Sequence, residues 1–480
     1  MRWLVVVVAA CAANTPRPAP VPIAVAPKPA APVAPTEPAT LSLPDKLHGL
    51  AMFWKEASDN FAFFDQVPDL DWNQAHREAI ARVAATTDDL AYYRELQRFS
   101  ARLDDGHTNV FLPLMIAGMF DSPAIKLEEI AGQPVVTNTS VALTEQVPIG
   151  SVVTEVDGRS VAELLEREVM PLISADPPVR RGMAIRGMRG PVQIGLLIGR
   201  RDTRMTLALA TPDGATRTVT VMRDATTAPS PWVHAIDEAT FELTWPVDGI
   251  ALVTIRSFMD ASVADQFVAK RAELRRARGI ILDVRTNGGG DGSLAVRIVN
   301  ELTAKPFHSS TWKTRQHIAA YKAWGKAGNL LYAAYAADAA WFEGGSDRMT
   351  PPPGPKITAP VVVLVGRGTA SAAEDLLVML DSIQRAELVG EPSLGSTGQP
   401  LMFLLPGGAI ARVCTKRDGF ADGRELVGYG VQPHVRIERT LASVRAHDDV
   451  VLARGLEVLQ ARIAAGPRAT PIPKTPDPKR

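Results

Sequence analysis

The amino-acid sequence predicts a multidomain chain of mixed α+β and α/β class: an N-terminal helical bundle, a β-rich module and an α/β core. Three observations carry this expectation. At 480 residues the chain exceeds what one hydrophobic core organises, so two to four domains are expected. Its residues are 46% hydrophobic and 22% charged, the balance of a foldable globular chain. Its apolar pattern changes twice, from three-and-four spacing to short alternating runs and then to strand–helix alternation.

Composition excludes some functions. Lys and Arg total 52, equal to Asp and Glu, so the formal net charge is zero. A general electrostatic grip on nucleic acid needs a basic excess, and no nucleic-acid partner is expected. Two cysteines, Cys11 and Cys414, exclude a disulfide framework and a Cys-cluster zinc site. The 38 prolines concentrate at the ends, with ten from Pro16 to Pro44 and five from Pro467 to Pro478.

Residues 1–11 read as an address. Met1-Arg2 supplies a positive charge, Trp3 to Ala10 an apolar run, and Val8-Ala9-Ala10-Cys11 a small-residue end. A run this short cannot cross a hydrocarbon core ~30 Å thick, so it reads as a secretory signal. Its end resembles the bacterial lipoprotein signal, which implies lipidation of Cys11. Residues 12–44 follow as a stiff Pro/Ala-rich tether, and 466–480 form a Pro-rich tail. The expected location is the bacterial cell envelope, lipid-anchored on the periplasmic or outer face.

Residues 45–112 read as the helical domain, with Leu50, Phe53, Trp54, Phe61 and Phe64 at helical spacing. Residues 113–224 carry short β-like runs such as Val135-Val136-Thr137 and Thr218-Val219-Thr220-Val221, with Asp157-Gly158 as a turn. Residues 225–465 alternate strand and helix: strand 250–255, helix 263–277, strand 279–284, helix 293–302, strand 360–365 and helix 372–383. That alternation predicts parallel strands. A strand at 431–437 and a helix at 448–465 close the core. The insert at 304–357 holds aromatic residues at three-and-four spacing, which predicts a packed helical hairpin. The alternative is a lid offering apolar substrate side chains a surface.

Chemistry concentrates where two core strands end. Gly279-Ile280-Ile281-Leu282-Asp283 drives into the core, and the chain then turns through Gly288-Gly289-Gly290. Such glycines let the backbone approach a ligand and aim amide N–H groups at a reacting oxygen, although a plain strand-to-helix turn would read alike. No phosphate-cradle pattern accompanies them. The second strand, 361–365, leads to Gly366-Arg367-Gly368-Thr369-Ala370-Ser371-Ala372-Ala373-Glu374. Ser371 stands at a sharp strand-to-helix junction where the helix start faces a developing oxyanion. Taken alone, a serine in this place is more often a helix N-cap than a nucleophile. His107, in Asp104-Asp105-Gly106-His107-Thr108, gains meaning only beside such a serine, which needs a base to take its proton.

Taken in order, these segments resemble the tail-specific, or C-terminal-processing, serine peptidases and the tricorn protease core. The resemblance spans about residues 50–460 and also includes the Gly-Glu-Pro run at 390–392 and Asp-Gly at 422–423. It implies a PDZ-like middle module, a crotonase-like catalytic core, peptide-bond cleavage, protein or peptide substrates, and no metal or other cofactor. It implies Ser371 as nucleophile, with the Gly289 and Ala372 N–H groups as oxyanion hole. Processing peptidases place a lysine twenty-five residues after the serine, where Ser396 stands here. The tricorn-like branch uses a histidine before the PDZ-like module, and His107 fits that position. There the preceding residue is a serine, whereas this chain has Gly106. The acid supporting the histidine stays open: Glu425, Asp105 or a polar residue of the 395–398 loop. A catalytically silent binding homologue is the alternative function, and an acyl-CoA enzyme a remoter one.

Overall fold

The computed structural model describes residues 40–235 and 239–466. The signal with Cys11, most of the tether and the C-terminal tail lie outside them. Among the described residues, no helix is long and apolar enough to cross a membrane.

The chain enters through helix Leu43–Asn60, opened by a capping box between Ser42 and Asp45. Helices Trp72–Ala84 and Asp89–Ala101 complete the bundle, each capped by an aspartate. Their apolar faces meet around Phe53, Trp72 and Phe99, with the Trp72 and Phe99 rings stacked at 4.3 Å. This bundle ends just before the strand Asn109–Phe111, so His107 leaves it at a fixed point.

A five-strand antiparallel path follows, in the order Ile125–Ile130, Gln133–Thr139, Val152–Val156, Arg204–Ala210 and Thr216–Met222. It encloses its own apolar cluster, including Leu127, Val136, Val153 and Leu207. Helix Pro177–Arg186 packs beside the edge strand Ile125–Ile130.

The core is a six-stranded sheet. Phe241–Val247 pairs antiparallel with Ile250–Ile255, and the next strands, Gly279–Asp283, Val361–Val365, Ala386–Gly390 and Val435–Arg436, add in parallel. Alternate side chains point to opposite faces. Ile280, Leu282, Val361 and Val363 join the main core, while Ile281, Val362 and Leu364 pack under the C-terminal helix Val450–Ala465. Continuous apolar strands buried on both faces are what a parallel sheet demands.

Three expected elements differ. The span read as helix 263–277 is two helices, Ser262–Ala269 and Arg271–Leu274, separated at Lys270 where ψ is −3°. The strand expected at 431–437 is only Val435–Arg436. The 304–357 insert is not a purely helical hairpin: Thr311–Arg315 pairs with both Trp341–Gly345 and Lys416–Gly419. Trp312 and Phe342 therefore meet across strands, and only Tyr321, Trp324, Tyr332 and Tyr335 cluster in helical turns. Strand pairing with a segment a hundred residues away overrides the local spacing.

Candidate active site

Parallel neighbours bring their C-terminal ends together, and here those ends carry the two glycine-containing turns. The turns are bonded to each other. Thr369 Oγ1 donates to the Val284 carbonyl at 2.8 Å, and the Ala370 N–H donates to the Asn287 carbonyl at 3.0 Å. Gly289, with φ +94°, is pressed against the serine: a Cβ there would lie 2.5 Å from Ser371 Cβ and 3.0 Å from the Ala372 nitrogen. Only glycine fits.

Ser371 occupies the N-cap position of helix Ala372–Ser382, with φ 54° and ψ −126°. A non-glycine residue is rarely held there, and such strain persists only where surrounding bonds enforce it. Those bonds are visible. The Ser371 N–H donates to the Ser396 carbonyl at 2.9 Å and to Glu374 Oε2 at 3.0 Å.

Glu374 is fully buried and accepts from four groups: the N–H of Ser371, Gly395 and Ser396, and the Ser393 hydroxyl. Burial pushes its carboxyl up to about 7, against the pull of those donors. One side chain thus fixes both the nucleophile's backbone and the 393–396 loop.

His107 arrives from the other side. Asn109 pairs with Arg412, Cys414 N–H donates to Thr108 Oγ1 at 3.0 Å, and Arg412 donates to the Gly106 carbonyl at 2.9 Å. The ring is 8% exposed. Its Nε2 lies 3.3 Å from Ser371 Oγ, and its Nδ1 lies 2.6 Å from Ser396 Oγ. Burial, with the positive charges of Arg412 and Lys416, lowers the imidazole pKa to about 3. The ring is therefore neutral at physiological pH and can accept a proton. Its charged form is disfavoured until negative charge develops nearby.

The open question of the supporting acid resolves against Glu425. That carboxylate faces Arg417 at 3.8 Å, while the Nδ1 position beside the ring is taken by Ser396. The reason is the strand pairing: the Gly419–Glu425 bridge turns Glu425 toward the Arg417 strand. Asp105 is buried and touches the backbone of His107 and the Thr108 hydroxyl, and burial raises it to about 6. It shapes the turn that carries the histidine.

The expected oxyanion donors stand beside the serine. Ala372 begins the helix, where N–H groups have no intrahelical partner. The Gly289 N–H, however, donates to Asn287 Oδ1 at 2.9 Å, so it is occupied in this state. Sequence reasoning gave no role to Glu374, although the Ser-Ala-x-Glu pattern contains it, or to Arg412. Cys11 lies outside the described residues. Among those residues, no group of three or more His, Cys, Asp and Glu side chains could hold a metal ion.

With this geometry in view, the relatives can be placed. Residues 249–437 match the model of peptidase family S41. Over 258 residues the chain is 24% identical to the carboxy-terminal processing protease CtpA of Bacillus subtilis (strain 168), covering 54% of this chain and 47% of that protein. Over 117 residues it is 32% identical to the carboxyl-terminal-processing protease of Synechocystis sp., covering 24% of this chain and 27% of that one. The chain thus matches about half or less of the length of these curated relatives. Its fold is shared with mature CPAF (TM-score 0.69, 14% identity, 90% of this chain and 99% of that one). CPAF complexed with lactacystin gives a TM-score of 0.67 at 15% identity, covering 87% and 98%.

Proposed function

We propose that this chain, which resembles the C-terminal-processing serine peptidases and matches peptidase family S41 in its core, is a serine peptidase acting through Ser371 with His107 as general base. The 3.3 Å approach of His107 Nε2 to Ser371 Oγ carries this reading, since it is within the range of an unliganded catalytic pair. Ser371 Oγ attacks the scissile carbonyl as its proton passes to Nε2, which then returns it to the leaving amine. The oxyanion forms beside the Ala372 N–H and the positive end of its helix. Gly289 becomes the second donor by releasing Asn287. The developing negative charge offsets the cost of imidazolium in a site already facing Arg412 and Lys416.

The antiparallel module, with helix Pro177–Arg186 beside its edge strand, supports a PDZ-like role in holding substrate. The cleft there, about 320 Å³, is lined by Ile130, Val179 and Met183 together with charged side chains such as Glu128 and Arg186, and reaches Arg367 of the serine turn and Leu394 of the 393–396 loop. The crotonase-like reading rests on the parallel βα core. Substrates are proposed to be envelope or extracellular proteins and peptides, because the sequence opens with a lipoprotein-like signal ending at Cys11. Hydrolysis of casein by the purified chain, abolished in Ser371→Ala, tests the activity; equal hydrolysis by that variant would remove the reading.

A further inference from the structure

We propose that Ser396 is the positioning residue of His107, accepting the Nδ1–H so that Nε2 presents its lone pair to Ser371; this rests on the peptidase reading above. Three independent features meet at this hydroxyl. The first is the 2.6 Å contact, made between a ring 8% exposed and a serine 2% exposed. In such a place an unpaired ring N–H is costly, and the partner of one nitrogen sets the tautomer of the whole ring. A neutral imidazole that takes the Ser371 proton at Nε2 must carry its own proton on Nδ1. Ser396 Oγ is the acceptor at that distance.

The second feature is rigidity. The Ser396 N–H donates to Glu374 Oε2 at 3.1 Å, and its carbonyl accepts the Ser371 N–H at 2.9 Å. The orienting hydroxyl and the nucleophile are thus tied by one backbone bond and one shared carboxylate. The serine and the ring that serves it hold a single relative placement.

The third is the missing side chain at position 106. A Cβ on Gly106 would lie 2.5 Å from Ser396 Oγ and 3.0 Å from Ser396 Cβ. The residue before the histidine leaves this space empty, and Ser396 fills it. A side chain at 106 would therefore have to displace the Ser396 hydroxyl from the place where it meets Nδ1. Gly106 has no positive φ, so a side chain there meets only this collision.

The test uses the full chain, the ring nitrogens labelled with ¹⁵N, and peptide hydrolysis read as kcat and KM. In wild type, the His107 signal, assigned by its loss in His107→Gln, is expected in the Nδ1–H form, and that form is lost in Ser396→Ala. The same variant should lower kcat about 10²-fold, within the usual worth of a general base, with KM changed less than threefold. Gly106→Ser alone should also impair kcat by collision. Gly106→Ser combined with Ser396→Gly should recover at least tenfold over Ser396→Gly. Thermal unfolding of each variant separates misfolding from misplacement. A wild-type ring in the Nε2–H form, or a Ser396→Ala kcat within threefold of wild type, overturns the proposal. If wild type hydrolyses nothing, the peptidase reading fails, and the tautomer still decides the role of Ser396.

Discussion

Ser371 and His107 stand 264 residues apart in the chain, yet Oγ and Nε2 are 3.3 Å apart. Two pieces of secondary structure make this contact. A parallel strand pair aims the serine turn at the end of the core sheet, and the pairing of Asn109 with Arg412 delivers the histidine to it. Neither half of the pair is useful without the other element in register.

Glu374 should be a strong stability determinant. Replacing it with alanine leaves the Gly395 and Ser396 N–H groups and the Ser393 hydroxyl without their acceptor in a buried place, and takes from the Ser371 N–H one of its two. Each orphaned donor costs about 1–3 kcal/mol, so Glu374→Ala should lose at least ~3 kcal/mol in urea unfolding. A loss under ~1 kcal/mol would show that the loop rearranges freely and that the carboxylate holds nothing.

At Gly289 there is no room for a methyl group beside Ser371, and φ is +94°. Gly289→Ala should therefore move the serine or close the oxyanion position, lowering kcat by ~10²–10³-fold, the scale of losing one oxyanion donor. Steady-state kinetics with a peptide substrate would check it. Wild-type turnover in this variant would place the second donor elsewhere.

Glu425 carries the opposite expectation. It faces Arg417, so Glu425→Gln should leave kcat within threefold of wild type. A fall of a hundredfold or more would mean that this carboxylate reaches the histidine during turnover.

The legibility of the site followed its chemistry. Ser371, His107 and the Gly288–Gly290 turn stood out because strand–glycine–helix patterns are local. Ser396 is legible as the place where a lysine is missing and as one polar residue of the 395–398 loop, but its role depends on Gly106, 290 residues earlier. Glu425 is one of three candidates that the sequence leaves open for the supporting acid, but the bridge from Gly419 decides where it points. In the fold, the helical bundle and the parallel core strands declared themselves by period and burial. The insert did not, since Trp312 pairs across to Asp418 and Gly345, contacts that no local spacing encodes.

Asp176 offers a pH signature. Burial, together with Asp105 and Asp104, pushes its carboxyl up to about 8 from an ordinary 3.8. Between those two values the folded chain keeps a proton that the unfolded chain has released, so this group's contribution to stability falls as pH rises. Asp176→Asn should remove that penalty. Its Tm advantage over wild type should grow from pH 5 to pH 8 in thermal unfolding scans, and an advantage that shrinks with pH would reverse the assignment.

The most direct test of the central claim is covalent labelling by a fluorophosphonate, with the adduct located by peptide mass spectrometry. A single adduct on Ser371 is predicted, absent in Ser371→Ala and formed at least ~10²-fold more slowly in His107→Ala, as expected for loss of a general base. Equal labelling of the Ser371→Ala chain, or an undiminished rate without His107, would contradict it.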